Sequence, residues 1–139
     1  MTQNGENMRR VLVADDDSGI VHVINALLTH DGYRVNGCGN GAQALAWYRS
    51  ALYAGRQSER YFAVISDYRM PNMDGLTLFS EIRKRDQATI LFLMSGYITK
   101  QMVGVAGVIG VDEILLKPDD MGISISHKLA KYWGGREPI

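Results

Sequence analysis

The stretch 61–75, Tyr-Phe-Ala-Val-Ile-Ser-Asp-Tyr-Arg-Met-Pro-Asn-Met-Asp-Gly, constrains the fold more than any other part of the chain. A short apolar run, residues 62–65, leads to a single carboxylate, Asp67, at its C-terminal end. Pro71 and Asp74-Gly75 then turn the chain toward a helix. A bounded apolar run followed by turn signals marks a strand buried on both faces. In an open α/β sheet, ligands bind in the crevice beyond the carboxyl ends of such strands. An isolated Asp after a strand commonly does no more than form a turn or cap a helix. The residues at the ends of the other strands decide between these readings.

Residues 10–14 form a first apolar run, and it ends abruptly in Asp15-Asp16-Asp17. From Ser18 the pattern becomes helical, with Ile20, Ile24, Leu27 and Leu28 on one stripe and Asp17 or Ser18 as N-cap. Asp31-Gly32 stops this helix, and residues 33–36 read as a second strand. Asn40, with Gln43 as capping-box partner, opens a second helix that runs through Tyr53 and buries Ala44, Leu45, Tyr48 and Leu52. A polar connection, 54–60, enters the strand that carries Asp67. A third helix uses Leu78, Phe79 and Ile82 and ends near Arg85-Asp86. A fourth apolar run, 90–94, leads to Ser95-Gly96-Tyr97. The helix after it, 100–108, contains Gly104 and Gly107, each costing about 1 kcal/mol relative to alanine. Residues 113–116 are a fifth strand leading to Lys117-Pro118, and a last helix is predicted over 119–133, packing Ile125, Leu129 and Tyr132 or Trp133. Five strands alternating with five helices imply a doubly wound parallel sheet of flavodoxin-like type, order 2-1-3-4-5, with helices on both faces. Residues 1–8 read as a disordered leader, 9–133 as one domain and 134–139 as a frayed tail.

Composition narrows the function classes. Fifteen Lys and Arg balance fifteen Asp and Glu, so no bulk basic field invites nucleic acid or an anionic membrane. The apolar stretch 103–111 is broken by glycines and is too short to span a bilayer. The polar start lacks a signal-peptide core, and the one cysteine, Cys38, forms no internal disulfide. A soluble, cytoplasmic protein is expected. His22, His30 and His127 are scattered and suggest no metal cluster.

In the 2-1-3-4-5 order, strands 1 and 3 are neighbours, so Asp15, Asp16 and Asp67 converge. Three carboxylates that close repel unless a cation sits among them. Hard oxygen ligands with spare coordination positions suit Mg²⁺, with Mn²⁺ a second possibility. Ser95 and Lys117 arrive from the far side, where a hydroxyl and an ammonium hold further phosphoryl oxygens. Asp67 then serves as a nucleophile in phosphoryl transfer.

In order, Val-Leu-Val-Ala-Asp15-Asp16-Asp17, Asp67-Tyr-Arg-Met-Pro-Asn-Met-Asp-Gly, Met-Ser95-Gly-Tyr and Leu-Leu-Lys117-Pro118 make the chain resemble a response-regulator receiver domain. The resemblance covers residues 9–132. It implies that Asp67 is the phosphoacceptor, receiving phosphate from a histidine-kinase phosphohistidine, a phosphotransfer protein or a small phosphodonor. It implies that Asp15, Asp16, Asp67 and the Arg69 carbonyl bind Mg²⁺. Ser95 resembles the switch hydroxyl and Lys117 the phosphate-binding lysine, with a Lys117-Pro118 bond that is usually cis in the family. Arg69 and Tyr97 occupy flanking positions, where large side chains could cover the phosphoryl group. Three features depart from the pattern: Ile114 stands where the family has a switch aromatic, the fourth helix is glycine-rich, and connection 54–60 is long. The output is expected through an unidentified partner protein or an attached domain.

Three rival readings are weighed against this one. A phosphate-independent docking module would not need the acidic cluster. A haloacid-dehalogenase-type phosphatase typically needs an acid two residues after its nucleophile, where this chain has Arg69. A flavodoxin-like cofactor carrier needs a hydroxyl- and glycine-rich loop after strand one, where three aspartates would repel a phosphate.

Overall fold

The computed structural model describes residues 9–135, so the leader 1–8 and tail residues 136–139 lie outside the described residues. Five strands, β1 (Arg10–Ala14), β2 (Arg34–Cys38), β3 (Tyr61–Asp67), β4 (Ile90–Ser95) and β5 (Glu113–Leu116), form one sheet in the order β2-β1-β3-β4-β5. Every pairing is parallel. The helices are α1 (Ser18–His30), α2 (Gly41–Tyr53), α3 (Gly75–Arg83), α4 (Lys100–Ile109) and α5 (Ile123–Ala130). This is the doubly wound, flavodoxin-like topology predicted from the alternation of elements.

The period of two along each strand divides the core into two layers. Val11, Val13, Ala63, Ile65, Phe92 and Leu115 face one side, where α1 and α5 bring Ile24, Leu28, Ile125 and Leu129. Leu12, Ala14, Val64, Leu91 and Leu93 face the other, against Ala44, Tyr48, Phe79, Ile82, Met102 and Ala106 from α2, α3 and α4. Each large side chain fully buried this way contributes about 1.5–3 kcal/mol.

Local chemistry sets the helix starts. Asp17, Asn40, Asp74 and Thr99 each accept a backbone N–H of the first turn, which stabilises each helix by about 1 kcal/mol. Despite Gly104 and Gly107, α4 runs from Lys100 to Ile109. Thr99 caps its start, Gly110 at φ 95° closes it, and Met102 and Ala106 anchor it in the core.

Several details differ from the sequence expectation. The second strand runs to Cys38 because it pairs residue by residue with β1, from Arg10↔Arg34 to Ala14↔Cys38. Connection 54–60 contains a one-turn 3-10 segment, Gln57–Glu59. The last helix begins at Ile123 rather than residue 119. The Asp120 side chain accepts from Leu116 N at 2.8 Å and its amide donates to Leu116 O at 2.7 Å, forming a turn. Gly122 follows at φ 104°, outside helical geometry. The same helix ends at Ala130, so Trp133 lies beyond it and donates from its indole nitrogen to the Tyr33 hydroxyl at 2.8 Å.

Candidate functional site

Sheet register places the site. Ala14 pairs with Ser66, so the residues that follow, Asp15 and Asp67, emerge side by side from β1 and β3. Asp67 in turn pairs with Met94, and Ser95 with Leu116. Lys117 leaves β5 next to Ser95, and its amide donates to Ser95 O at 2.8 Å. Gly75, opening α3, allows close return of the chain: a Cβ there would lie 2.4 Å from the Asp67 carbonyl oxygen.

Four charged groups converge. The Lys117 ammonium donates to Asp15 Oδ2 at 2.8 Å and pairs with Asp67 Oδ1 at 3.0 Å. Asp15 is 1 % exposed and its other oxygen accepts from Asp17 N at 2.9 Å; Asp67 is 8 % exposed. Asp16 stands exposed at the rim. One oxygen each from Asp15, Asp16 and Asp67 lie within 4.8 Å of one another. Burial pushes the Asp67 carboxyl above its ordinary pKa; hydrogen bonding to Lys117 opposes this, and the charges of Asp15 and Asp16 reinforce it. Burial works against the charge on Lys117, but its bonds to Asp15 and Asp67 outweigh burial and raise its pKa. One ammonium thus faces three carboxylates. The surplus negative charge on hard oxygen donors fits a divalent cation such as Mg²⁺.

The other sequence-selected residues surround this cluster. Asp67, Arg69, Ser95, Tyr97 and Lys117 line one recess of about 470 Å³, together with Tyr68 and Met102, two liners that no sequence signal singled out. The Ser95 hydroxyl donates to Tyr97 O at 2.7 Å and accepts from Tyr97 N at 3.2 Å. Tyr97 is 76 % exposed and Arg69 is exposed, and both line the recess that holds Asp67. Pro118 follows Lys117 through a cis peptide bond. Ile114 is partly buried and packs against the core cluster beneath α2, α3 and α4. Asp74 caps α3, and Asp17 caps α1. No helix among the described residues is long and apolar enough to cross a membrane.

Comparison with known proteins agrees with this geometry. The sequence model of the response regulator receiver domain matches residues 11–124. The transcriptional regulatory protein AruR of Pseudomonas aeruginosa is 37% identical over 78% of this chain and 43% of its own length. The two-component response regulator ARR11 of Arabidopsis thaliana is 34% identical over 88% of this chain and 23% of its own length. The chain therefore spans less than half the length of these relatives. In structure, Vibrio cholerae chemotaxis protein CheY4 has the same fold, with a TM-score of 0.77 at 24% identity over 89% of this chain and 98% of that one. The response regulator TrrA of Thermotoga maritima, solved in complex with Mg²⁺ and BeF, gives a TM-score of 0.72. It is 27% identical over 89% of this chain and 98% of that one. The chain belongs to the response regulator receiver domain family of two-component signal transduction.

Proposed function

We propose that Asp67 is the phosphoacceptor of this receiver domain, and that phosphorylation switches the protein contacts of residues 9–133. The observation that carries the reading is the Lys117 ammonium lying between Asp15 and Asp67, at 2.8 and 3.0 Å, at the mouth of an acidic cluster. The carboxylates of Asp15, Asp16 and Asp67 and the carbonyl of Arg69 would hold Mg²⁺. Bound there, the ion would neutralise the surplus charge of these carboxylates, which would let an anionic phosphodonor approach. An Asp67 carboxylate oxygen forms the new O–P bond as the P–N bond of a donor phosphohistidine breaks and the imidazole keeps the electron pair. Lys117 is placed to hold a phosphoryl oxygen. Ser95 would hold another once its hydroxyl turns away from the Tyr97 carbonyl, 2.7 Å distant. That exchange would link phosphorylation to the exposed segment before α4, in a chain with Ile114 at the switch position. A histidine kinase or phosphotransfer protein is the donor in this reading, working in the cytoplasm, and an output protein or attached domain receives the signal.

Intact mass after incubation with acetyl phosphate and Mg²⁺ tests the proposal. One phosphate adduct is expected on the wild type, absent from Asp67→Ala and abolished by a chelator. An adduct that survives Asp67→Ala would move the acceptor to another carboxylate. No adduct on the wild type, with either small donors or a kinase phosphohistidine, would make the chain a phosphate-independent docking module.

A further inference from the structure

The loop 68–74, which joins β3 to α3 and carries Arg69, is held at both ends. Tyr68 N donates to Met94 O at 2.8 Å, and Gly75 N donates to Tyr68 O at 2.9 Å. Its middle turns tightly, with Met73 N donating to Pro71 O at 2.8 Å and Asn72 at φ 73°. Met70 and Met73 pack against the core beneath α2, α3 and α4. The turn also rests on the buried first residue of α2, Gly41. A Cβ at Gly41 would lie 2.4 Å from the Met73 carbonyl oxygen and 2.9 Å from Met73 Cβ.

Ordinary contact begins near 3.4 Å, so a methyl at position 41 forces a displacement of up to about 1 Å. Helix α2 has little freedom to give way. Ala44, Tyr48 and Ala51 hold it in the core, and Asn40 caps it by accepting from Gln43 N at 2.8 Å. A close-packed interior transmits such strain rather than absorbing it. The displacement therefore falls on the loop. Arg69 makes no hydrogen bond with a described residue, so its carbonyl is available as a ligand. Arg69, Met70 and Pro71 line a recess of about 490 Å³ together with Asp16, so the loop and an acid of the cluster bound one opening.

Ions differ in how well they tolerate a displaced oxygen. Mg²⁺ demands near-octahedral oxygens at about 2.0–2.1 Å, whereas Ca²⁺ accepts irregular shells at about 2.3–2.6 Å. Taking Asp15, Asp16, Asp67 and the Arg69 carbonyl to hold a divalent cation, as proposed above, we infer that Gly41 is a positioning and specificity-determining residue for that ion. Its missing side chain lets Met73 seat on α2, which sets the loop close enough for Mg²⁺ and favours it over larger divalent ions. The second helix thereby takes part in a site to which it contributes no ligand.

Amide-shift titrations of the full chain with Mg²⁺ and with Ca²⁺, at constant ionic strength, test this. In Gly41→Ala, Mg²⁺ affinity should fall about tenfold or more, the loss typical when a group that orients a metal ligand is removed. Ca²⁺ affinity should fall less, so the preference between the two ions shifts toward Ca²⁺. Gly39→Ala should leave both affinities unchanged, because nothing lies within 4 Å of a Cβ there. Asp16→Asn should weaken both ions, which ties the shifts to the acidic cluster. Met73→Gly loosens the same contact from the loop side and should also weaken Mg²⁺ more than Ca²⁺, which keeps the test open if Gly41→Ala does not fold. Wild-type Mg²⁺ affinity in the folded variants would overturn the inference while leaving the metal reading intact. So would an equal loss for both ions, the mark of general loosening. A wild-type chain with no saturable shift for either ion would overturn the metal reading and the role of Gly41 together.

Discussion

Lys117 balances only part of the charge that Asp15, Asp16 and Asp67 bring together, and burial of Asp67 adds to the imbalance. Folding therefore holds Asp67 in an environment that favours its neutral form. Asp67→Asn is expected to raise the melting temperature in chelator by a few degrees, a change of about 1 kcal/mol in a domain of this size. Mg²⁺ should raise the wild-type midpoint with concentration, as any ligand of the folded state does, and should do so less in Asp67→Asn. Scanning calorimetry of both proteins with and without the ion checks this. Tyr48 presents the opposite case of a buried group kept neutral. Burial raises its phenol pKa well above the ordinary value near 10, and its hydrogen bond to Thr89 opposes the shift. Above pH 10 the unfolded chain releases a proton that the folded chain keeps. The contribution of Tyr48 is thus full below pH 10 and is lost as pH rises past it. Tyr48→Phe removes the 2.6 Å bond to Thr89, costing about 1 kcal/mol at pH 7, and should flatten the alkaline decline in urea-measured stability.

Among the elements, α4 and α3 show two uses of glycine. Nothing outside the local helix backbone lies within 4 Å of a Cβ built at Gly104 or Gly107, so neither glycine is required by packing. Replacing each with alanine should stabilise the domain by about 1 kcal/mol, seen as a higher urea midpoint at unchanged slope. Gly75 differs, because a Cβ there meets the Asp67 carbonyl oxygen at 2.4 Å and Leu93 Cδ1 at 2.8 Å. Gly75→Ala should cost about 1–3 kcal/mol in the same assay and displace the chain around Asp67. The exposed valines of α4, Val103, Val105 and Val108, make its outer face apolar without a covering element among the described residues.

At the scale of the molecule, one sheet is shared by two core layers, so neither layer keeps its shape alone. Trp47 on α2 and Trp133 beyond α5 report on different faces. Single-tryptophan variants Trp47→Phe and Trp133→Phe should each melt with one midpoint by fluorescence and circular dichroism alike. Separated midpoints would show the faces unfolding independently. The order of elements was legible in the sequence because runs of strand length alternate with 3.6-period stripes, and four of the five runs lead into a charged residue or a hydroxyl. Asp15, Asp16, Asp67, Ser95 and Lys117 could be placed at one crevice from topology alone, since side chains at the carboxyl ends of neighbouring parallel strands must meet. The turn that delays α5 to Ile123 was not legible, because it depends on Asp120 folding back to the Leu116 amide. Nor could the sequence show that the Ser95 hydroxyl is engaged by the Tyr97 backbone, or that Gly41 lies against Met73. Local pattern and strand polarity determined the fold and the chemistry at its carboxyl edge. Hydrogen-bond geometry and contacts between residues distant in the chain were decided only by the packed structure, because their energies depend on distances that one dimension does not contain.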